Sequence, residues 1–167
     1  LEILQKISKK AFDESGKKLS DIDTFAATCG PGLIGPLLIG STFTKSLAIG
    51  LNKPFVPINH IESHIISPTF NNDVEYPNIC LLLTGGHTEI YHLESKKNII
   101  LLGETIDDAV GETFDKVGKL LGLKYPGGPE IEKKALNGNE TAYDLPTPLL
   151  NKNNLDFSFS GLKTSIN

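Results

Sequence analysis

The sequence predicts an α/β fold on three observations. Segments with helical spacing of apolar residues alternate with short runs of β-formers along the chain. One strand-like run, residues 24–29, passes through a glycine-rich turn into a helical segment at 37–50. Two further β runs are separated only by Gly85-Gly86, the strongest hairpin signal present. This order indicates α/β layers with an antiparallel hairpin in the sheet.

Taken in order, Leu1, Leu4, Ile7 and Ala11 recur at helical spacing, which predicts an amphipathic helix over about 1–17. Residues 24–29 read as a short buried strand. G-P-G-L-I-G-P follows at 30–36, then a helix over 37–50 with Gly50 as its stop. Residues 55–58 form a second short strand, and a helix carrying His60 and His64 follows. A polar loop spans 68–77. Strands at 78–84 and 87–94 flank the Gly-Gly turn, and 98–104 extends the sheet. Residues 107–121 read as a helix with Val110, Phe114, Val117 and Leu121 on its core face; Asp115 and Lys116 beside that stripe read as solvated. Y-P-G-G-P at 125–129 is a sharp turn before a short helix at 130–136. Residues 157–164 look like the opening of another element.

The composition is that of a folded globular protein: 39% hydrophobic, 22% charged, 167 residues, enough for one core or two small lobes. The net charge is −4 and all sixteen basic residues are lysine, so overall charge gives a nucleic-acid partner no support, though it leaves room for a local lysine patch. Cys29 and Cys80 lie far apart in apolar runs and read as buried thiols of a reducing compartment. No apolar stretch is long enough to span a membrane and no signal peptide is visible, so a cytoplasmic location is expected. The chain has no methionine, and both ends read as cut from a longer protein.

Three places carry chemistry. If Asn59 caps a helix, His60 and His64 lie one turn apart on one face, a spacing at which two neutral imidazoles chelate a divalent ion if other groups complete the shell. Two surface histidines on an ordinary helix is the competing reading. The zinc-protease pattern H-E-x-x-H does not apply, because the acid is Glu62 in the third position, turned about 100° around the axis from the base's place. Strand, glycine turn and helix at 24–50 aim backbone N–H groups at an anion, or simply allow close packing. The turn T-G-G-H-T at 84–88 offers uncovered N–H groups with Thr84, His87 and Thr88 beside them, suited to a phosphate or carboxylate. A plain type I′ hairpin would need the glycines but not the flanking His and Thr.

Laid end to end, G-P-G-L-I-G, H-I-E-S-H, T-G-G-H-T-E, G-E-T-I-D-D-A-V-G-E-T-F-D-K, Y-P-G-G-P and F-S-F-S-G-L-K-T resemble the tRNA N6-threonylcarbamoyladenosine transferases, formerly called O-sialoglycoprotein endopeptidases or glycoproteases. The resemblance covers nearly all the chain from Asp21 onward. It implies the two-lobed, ribonuclease H-like fold of actin-like ATPases and sugar kinases, here incomplete: most of the N-terminal lobe and the start of the second, with a boundary at roughly 105–130. It implies that His60 and His64 bind one divalent metal ion, iron before zinc. It implies that Leu83, Thr84, Gly85, Gly86 and His87 hold the phosphate and carbamoyl part of threonylcarbamoyl-AMP, Thr84 and His87 being the catalytic candidates. Asp115 would bind the ribose, and Gly128 would lie beside the adenosine. The acceptor would be N6 of the adenosine next to the anticodon in tRNAs reading ANN codons. The implied partners are tRNA, an inactive paralogue docked through the G-P-G-L helix region, and the ATPase of the modification complex; no membrane is involved.

The departures from that family are specific. Pro36 stands where a small residue is usual. The N-terminal G-I-E-T-S-C-D-type motif is absent, as is the C-terminal third with its nucleotide-binding Asn and metal-binding Asp, so weak metal binding and impaired turnover are expected of this chain alone. The alternatives are a metalloprotease, against which Glu62 counts, and a non-catalytic partner-binding fragment. A sugar kinase or chaperone ATPase would not predict H-x-x-x-H.

Overall fold

In the computed structural model, which describes residues 2–150 and 152–166, the chain falls into two compact units, Leu1–Asn72 and Asp73–Asn167. This division is a property of the present chain. The lobe boundary expected at roughly 105–130 concerns the two-lobed fold that the resemblance implies.

In the first unit, α1 (Glu2–Ser15) is the expected amphipathic helix; Leu1, at the start of the expected range, lies outside the described residues. The inward face differs from the expected one. Leu4, Ser8 and Phe12 are half-buried, while Ala11 is exposed and Ile7 is 59% exposed. Phe12, with the largest apolar side chain of the helix, lines a groove with Phe43 and Leu47. Strand β1 (Phe25–Gly30), helix α2 (Ile34–Gly50) and strand β2 (Phe55–Asn59) form a parallel βαβ unit, in register from Phe25 opposite Phe55 to Thr28 opposite Ile58. The strand expected to be buried buries only Phe25, and Cys29 is exposed rather than buried. A sheet of two strands leaves most of β1 uncovered. Cys80 is half-buried, and both thiols are free.

Helix α2 starts three residues earlier than expected, so Pro36 falls in its first turn, where N–H groups lack helical partners anyway. It ends at Gly50 as expected, but the residue that closes it is not the glycine. Asn52 takes the left-handed conformation (φ 51°), and Asn52 N–H donates to Ile49 O (3.1 Å) while Lys53 N–H donates to Ala48 O (2.8 Å). This is the paired closure of a Schellman motif, with Asn in glycine's usual place. Helix α3 (His60–Ile66) follows β2 directly, with Ile61 and Ile65 buried.

In the second unit, β3 (Asn78–Leu83), β4 (Thr88–Ser95) and β5 (Asn98–Glu104) form an antiparallel sheet in that order. It is separate from the β1–β2 pair, so the hairpin does not share a sheet with the parallel strands as expected; β3 pairs only with β4. Helix α4 (Val110–Leu120) buries Thr113, Val117 and Gly118, whereas Phe114 and Leu121, expected on the core face, are 44% and 56% exposed. Two contacts set its rotation. Val110 N–H donates to the hydroxyl of Thr88 (2.8 Å), which is fully buried. Gly118 meets α5 (Gly127–Ala135) so closely that a Cβ there would lie 2.8 Å from Gly127 Cα. Helix α5 starts at Gly127 rather than at 130, because Gly127, Gly128 and Pro129 form its first turn. Phe157 forms a parallel bridge to Thr105 and leads into α6 (Ser160–Ile166).

Candidate functional site

The β3–β4 turn is built around one hydroxyl. Thr84 Oγ1 accepts from His87 N–H (2.9 Å) and Gly86 N–H (3.3 Å), and Thr84 N–H donates to His87 O (2.9 Å). Neither Gly85 nor Gly86 has a positive φ, so this is not a type I′ turn. Of the two glycine N–H groups expected to stand uncovered, that of Gly86 is therefore held by Thr84, as is His87 N–H, and an anion entering the loop must compete with the Thr84 hydroxyl. Thr88 contributes no donor to the loop, since its side chain is fully buried against α4, where its hydroxyl accepts from Val110 N–H. Gly85 and Gly86 are exposed, Thr84 and His87 are half-buried, and Leu83 is 54% exposed.

The loop sits against the first turn of α4. A Cβ on Gly111 would lie 2.7 Å from Thr84 O and 2.9 Å from Gly85 Cα, so only glycine allows this approach. Further along α4, Asp115 is half-buried and its Oδ1 accepts from Gly127 N–H (2.7 Å) at the start of α5. It is thus not merely solvated. A cleft of about 510 Å³ is lined by Gly85 from the turn, Asp115 from α4 and Tyr125 from the Y-P-G-G-P segment. Two of the predicted substrate residues, Gly85 and Asp115, therefore share one cavity. Leu83, Thr84, Gly86 and His87 flank it through the turn without lining it. Gly128 is half-buried in the first turn of α5, 3.8 Å from the Phe114 side chain as measured from an added Cβ, and the closer approach belongs to Gly127.

The cleft also holds residues given no site role from the sequence, among them Lys116, which was expected to be merely solvated. Glu112, Lys116 and Lys119 line it at i, i+4 and i+7 on α4, joined by Lys124 after the helix. Lys116 Nζ is 2.8 Å from both Asp108 Oδ1 and Glu112 Oε1, and these carboxylates hold its ammonium well above the ordinary value. Lys163 of α6 binds the other oxygen of Asp108 at 2.5 Å. Hydrogen bonds from Lys116 and then Lys163 hold the Asp108 carboxyl below its usual range. Next to it, desolvation pushes Asp107 up, but Phe159 N–H, the Ser158 hydroxyl and Ser160 N–H outweigh that and leave it lowered. The I-D-D segment thus ties α4 to α6. The i, i+4 spacing of Glu112 and Lys116 was the available signal; the long-range Lys163 contact had none.

In the first unit, Asn59 caps α3 as expected: its Oδ1 accepts from Ile61 N–H (2.8 Å) and Glu62 N–H (3.2 Å), a cap that contributes about 1 kcal/mol. His60 and His64 consequently stand on one face with ring centroids 4.6 Å apart and planes inclined at 71°. Among the described residues no group of three or more His, Cys, Asp and Glu side chains could hold a metal ion. The donor set fits two positions of a divalent-metal shell and leaves the others to groups outside the pair.

These features define an α/β protein with a carboxylate and a glycine turn facing one nucleotide-sized cleft, and a separate imidazole pair. Sequence comparison gives its family. A family profile described as TsaD, tRNA N6-adenosine threonylcarbamoyltransferase, matches residues 1–167. The chain belongs to that family. It is 49% identical over 166 residues to the tRNA N6-adenosine threonylcarbamoyltransferase of Pelagibacter ubique, covering 99% of this chain and 46% of that protein. It is 53% identical over 167 residues to the protein of the same name from Kosmotoga olearia, covering 99% and 50%. The chain thus spans about half the length of the curated relatives it matches. A slighter likeness, TM-score 0.41 at 19% identity, covers 59% of this chain and 48% of YeaZ from Pseudomonas aeruginosa.

Proposed function

We propose that this chain carries the acyl-donor half of a transferase that moves a threonylcarbamoyl group from threonylcarbamoyl-AMP to N6 of the adenosine adjoining the anticodon in tRNAs reading ANN codons. The observation that carries it is the meeting of Gly85 and Asp115 in one cleft. In this reading Asp115 Oδ2, the oxygen not bound to Gly127, accepts from a ribose hydroxyl. The Gly85–Gly86 backbone and the side chains of Thr84 and His87 receive the phosphate and carbamoyl oxygens, where N–H donors stabilise charge developing on the carbonyl. The N6 amine forms its bond to the carbamoyl carbon as the carbon–oxygen bond to AMP breaks, and the amine's proton leaves with solvent or His87. His60 and His64 would hold one divalent ion, iron or zinc, which would supply Lewis acidity. The two lobes of an actin-like fold would be completed by sequence that the relatives possess, with a lobe boundary at 105–130.

Partner binding has its own support. Helix α2 carries one charged residue, Lys45, and exposes apolar side chains along one side: Ile34, Leu38 and Ile49 are 82%, 63% and 73% exposed, and Leu33 at its N-terminal cap is 80% exposed. An inactive paralogue is the partner we place there; the complex's ATPase and a cytoplasmic setting belong to the same reading. No described helix is long and apolar enough to cross a membrane.

The test is metal and nucleotide stoichiometry on the purified chain. Near-equimolar iron or zinc, lost in both His60→Ala and His64→Ala, together with AMP binding weakened at least tenfold by Asp115→Ala, is the expected result. AMP binding indifferent to Asp115→Ala would remove the donor-site assignment.

A further inference from the structure

We propose that the rim of the cleft formed by Lys119, Lys124 and Tyr125 receives the single-stranded RNA flanking the acceptor adenosine, with two phosphates on the lysines and a base stacked on the tyrosine. This rests on the transferase reading of the cleft, in which the donor occupies the Gly85–Asp115 end and the acceptor must arrive at the same cavity.

The charges of the cleft divide into two groups. Lys116 and Glu112 neutralise each other at 2.8 Å, with Asp108 on the other side of Lys116. Asp115 is engaged by Gly127 N–H. That leaves Lys119 and Lys124, both exposed and neither in an ion pair among the described residues. Lys119 lies one turn beyond Asp115 and Lys116 on the face of α4 that lines the cleft, so its ammonium follows the same wall outward. On a chain of net charge −4, two unpaired cations beside one cleft are a local positive rim.

Tyr125 adds what an ordinary lysine pair lacks. It lines the same cleft and is 84% exposed, with no hydrogen bond to its hydroxyl among the described residues. Pro126 follows it, which restricts the backbone of Tyr125, and α5 begins immediately after. An aromatic ring presented on a restrained backbone beside two cations is the combination that binds unpaired bases: stacking on the ring, phosphates on the cations. An interior of about 510 Å³ accommodates a nucleoside unit, and the rim takes the chain leading to it.

The chain contains no tryptophan, so Tyr125→Trp makes a single reporter on the rim. A short RNA hairpin with an adenosine in its unpaired loop is titrated onto that variant of the 167-residue chain, and salt dependence is measured on the natural chain and on Lys119→Gln/Lys124→Gln. Saturable tryptophan quenching is expected, with the slope of log affinity against log salt shallower by about 1.4 in the double variant, two single-strand phosphate contacts. Tyr125→Ala should weaken binding about tenfold or more, and Tyr125→Phe should not. The charge-matched Lys96→Gln/Lys97→Gln, at the β4–β5 turn, should leave the slope unchanged. RNA binding with no quenching, no binding, or a slope that Lys119→Gln/Lys124→Gln does not alter, overturns the proposal. AMP titration separates the two readings: AMP bound and slope unaltered removes the rim alone, whereas slope altered and AMP unbound upholds the rim and removes the donor site.

Discussion

At the level of single residues, the candidate site depends on groups too small or too ordinary to attract notice in a sequence. Thr84 organises the turn with one oxygen, so Thr84→Ser should leave thermal stability unchanged and Thr84→Ala should cost roughly 1 kcal/mol, read from denaturant unfolding. Gly111 has no such tolerance. Its Cβ would press on the Thr84 carbonyl at 2.7 Å, so Gly111→Ala should cost about 1–3 kcal/mol and displace the Gly85 end of the cleft, lowering AMP affinity in the same variant. The family motifs named Thr84, Gly85 and Asp115 from sequence, but not what each does in the fold. Motifs report which residues recur together; they do not report that Thr84 turns inward onto Gly86 and His87, or that Asp115 already serves Gly127.

Among the secondary-structure elements, those with strong local signals were legible. The hairpin strands, the Asn59-capped helix and the long helix α2 stand close to their expected positions, because periodicity, Gly-Gly and an Asn cap act within a few residues. The inward faces of α1 and α4 were not legible. Phe12, the Thr88 hydroxyl and the Gly118–Gly127 contact decide them, and each acts through a partner distant in sequence. The Asp107–Asp108 clamp is of the same kind and has a pH signature. Both carboxyls are lowered from an ordinary 3.8, so the unfolded chain binds protons first; their contribution is complete above about pH 5 and is lost as pH falls through the lower folded values. Asp108→Asn should therefore destabilise the second unit at neutral pH, by about 1–3 kcal/mol. The gap between variant and natural chain should narrow in acid-unfolding curves below pH 4. A constant gap would place Asp108 outside the clamp.

For the molecule as a whole, the sequence pointed to α/β layers and the structure has them, but in two units with separate sheets. Which strands share a sheet is a long-range choice that spacing alone does not report. The exposed apolar side of α2 is the surface on which the proposed partner is placed. A charge placed on an exposed side chain there should leave the fold intact. Leu38→Glu is expected to change stability by no more than about 0.5 kcal/mol while abolishing capture of the paralogue in a two-component pull-down. Unimpaired capture would move the partner to another face.

The double duty of Asp115 reaches further than its place in the cleft. One oxygen starts α5 by receiving Gly127 N–H, and the other is the one the proposed reading assigns to a ribose. Ligand occupancy and the order of that helix are then thermodynamically linked, and linkage runs both ways. A nucleotide bound at Asp115 should slow hydrogen exchange in the first turn of α5, and any change that loosens that turn should weaken the nucleotide by the same free energy. A loss of affinity on altering Asp115 therefore has two sources, a missing contact and a helix that no longer begins at Gly127. Exchange rates at Gly127 and Gly128 in the absence of ligand tell them apart.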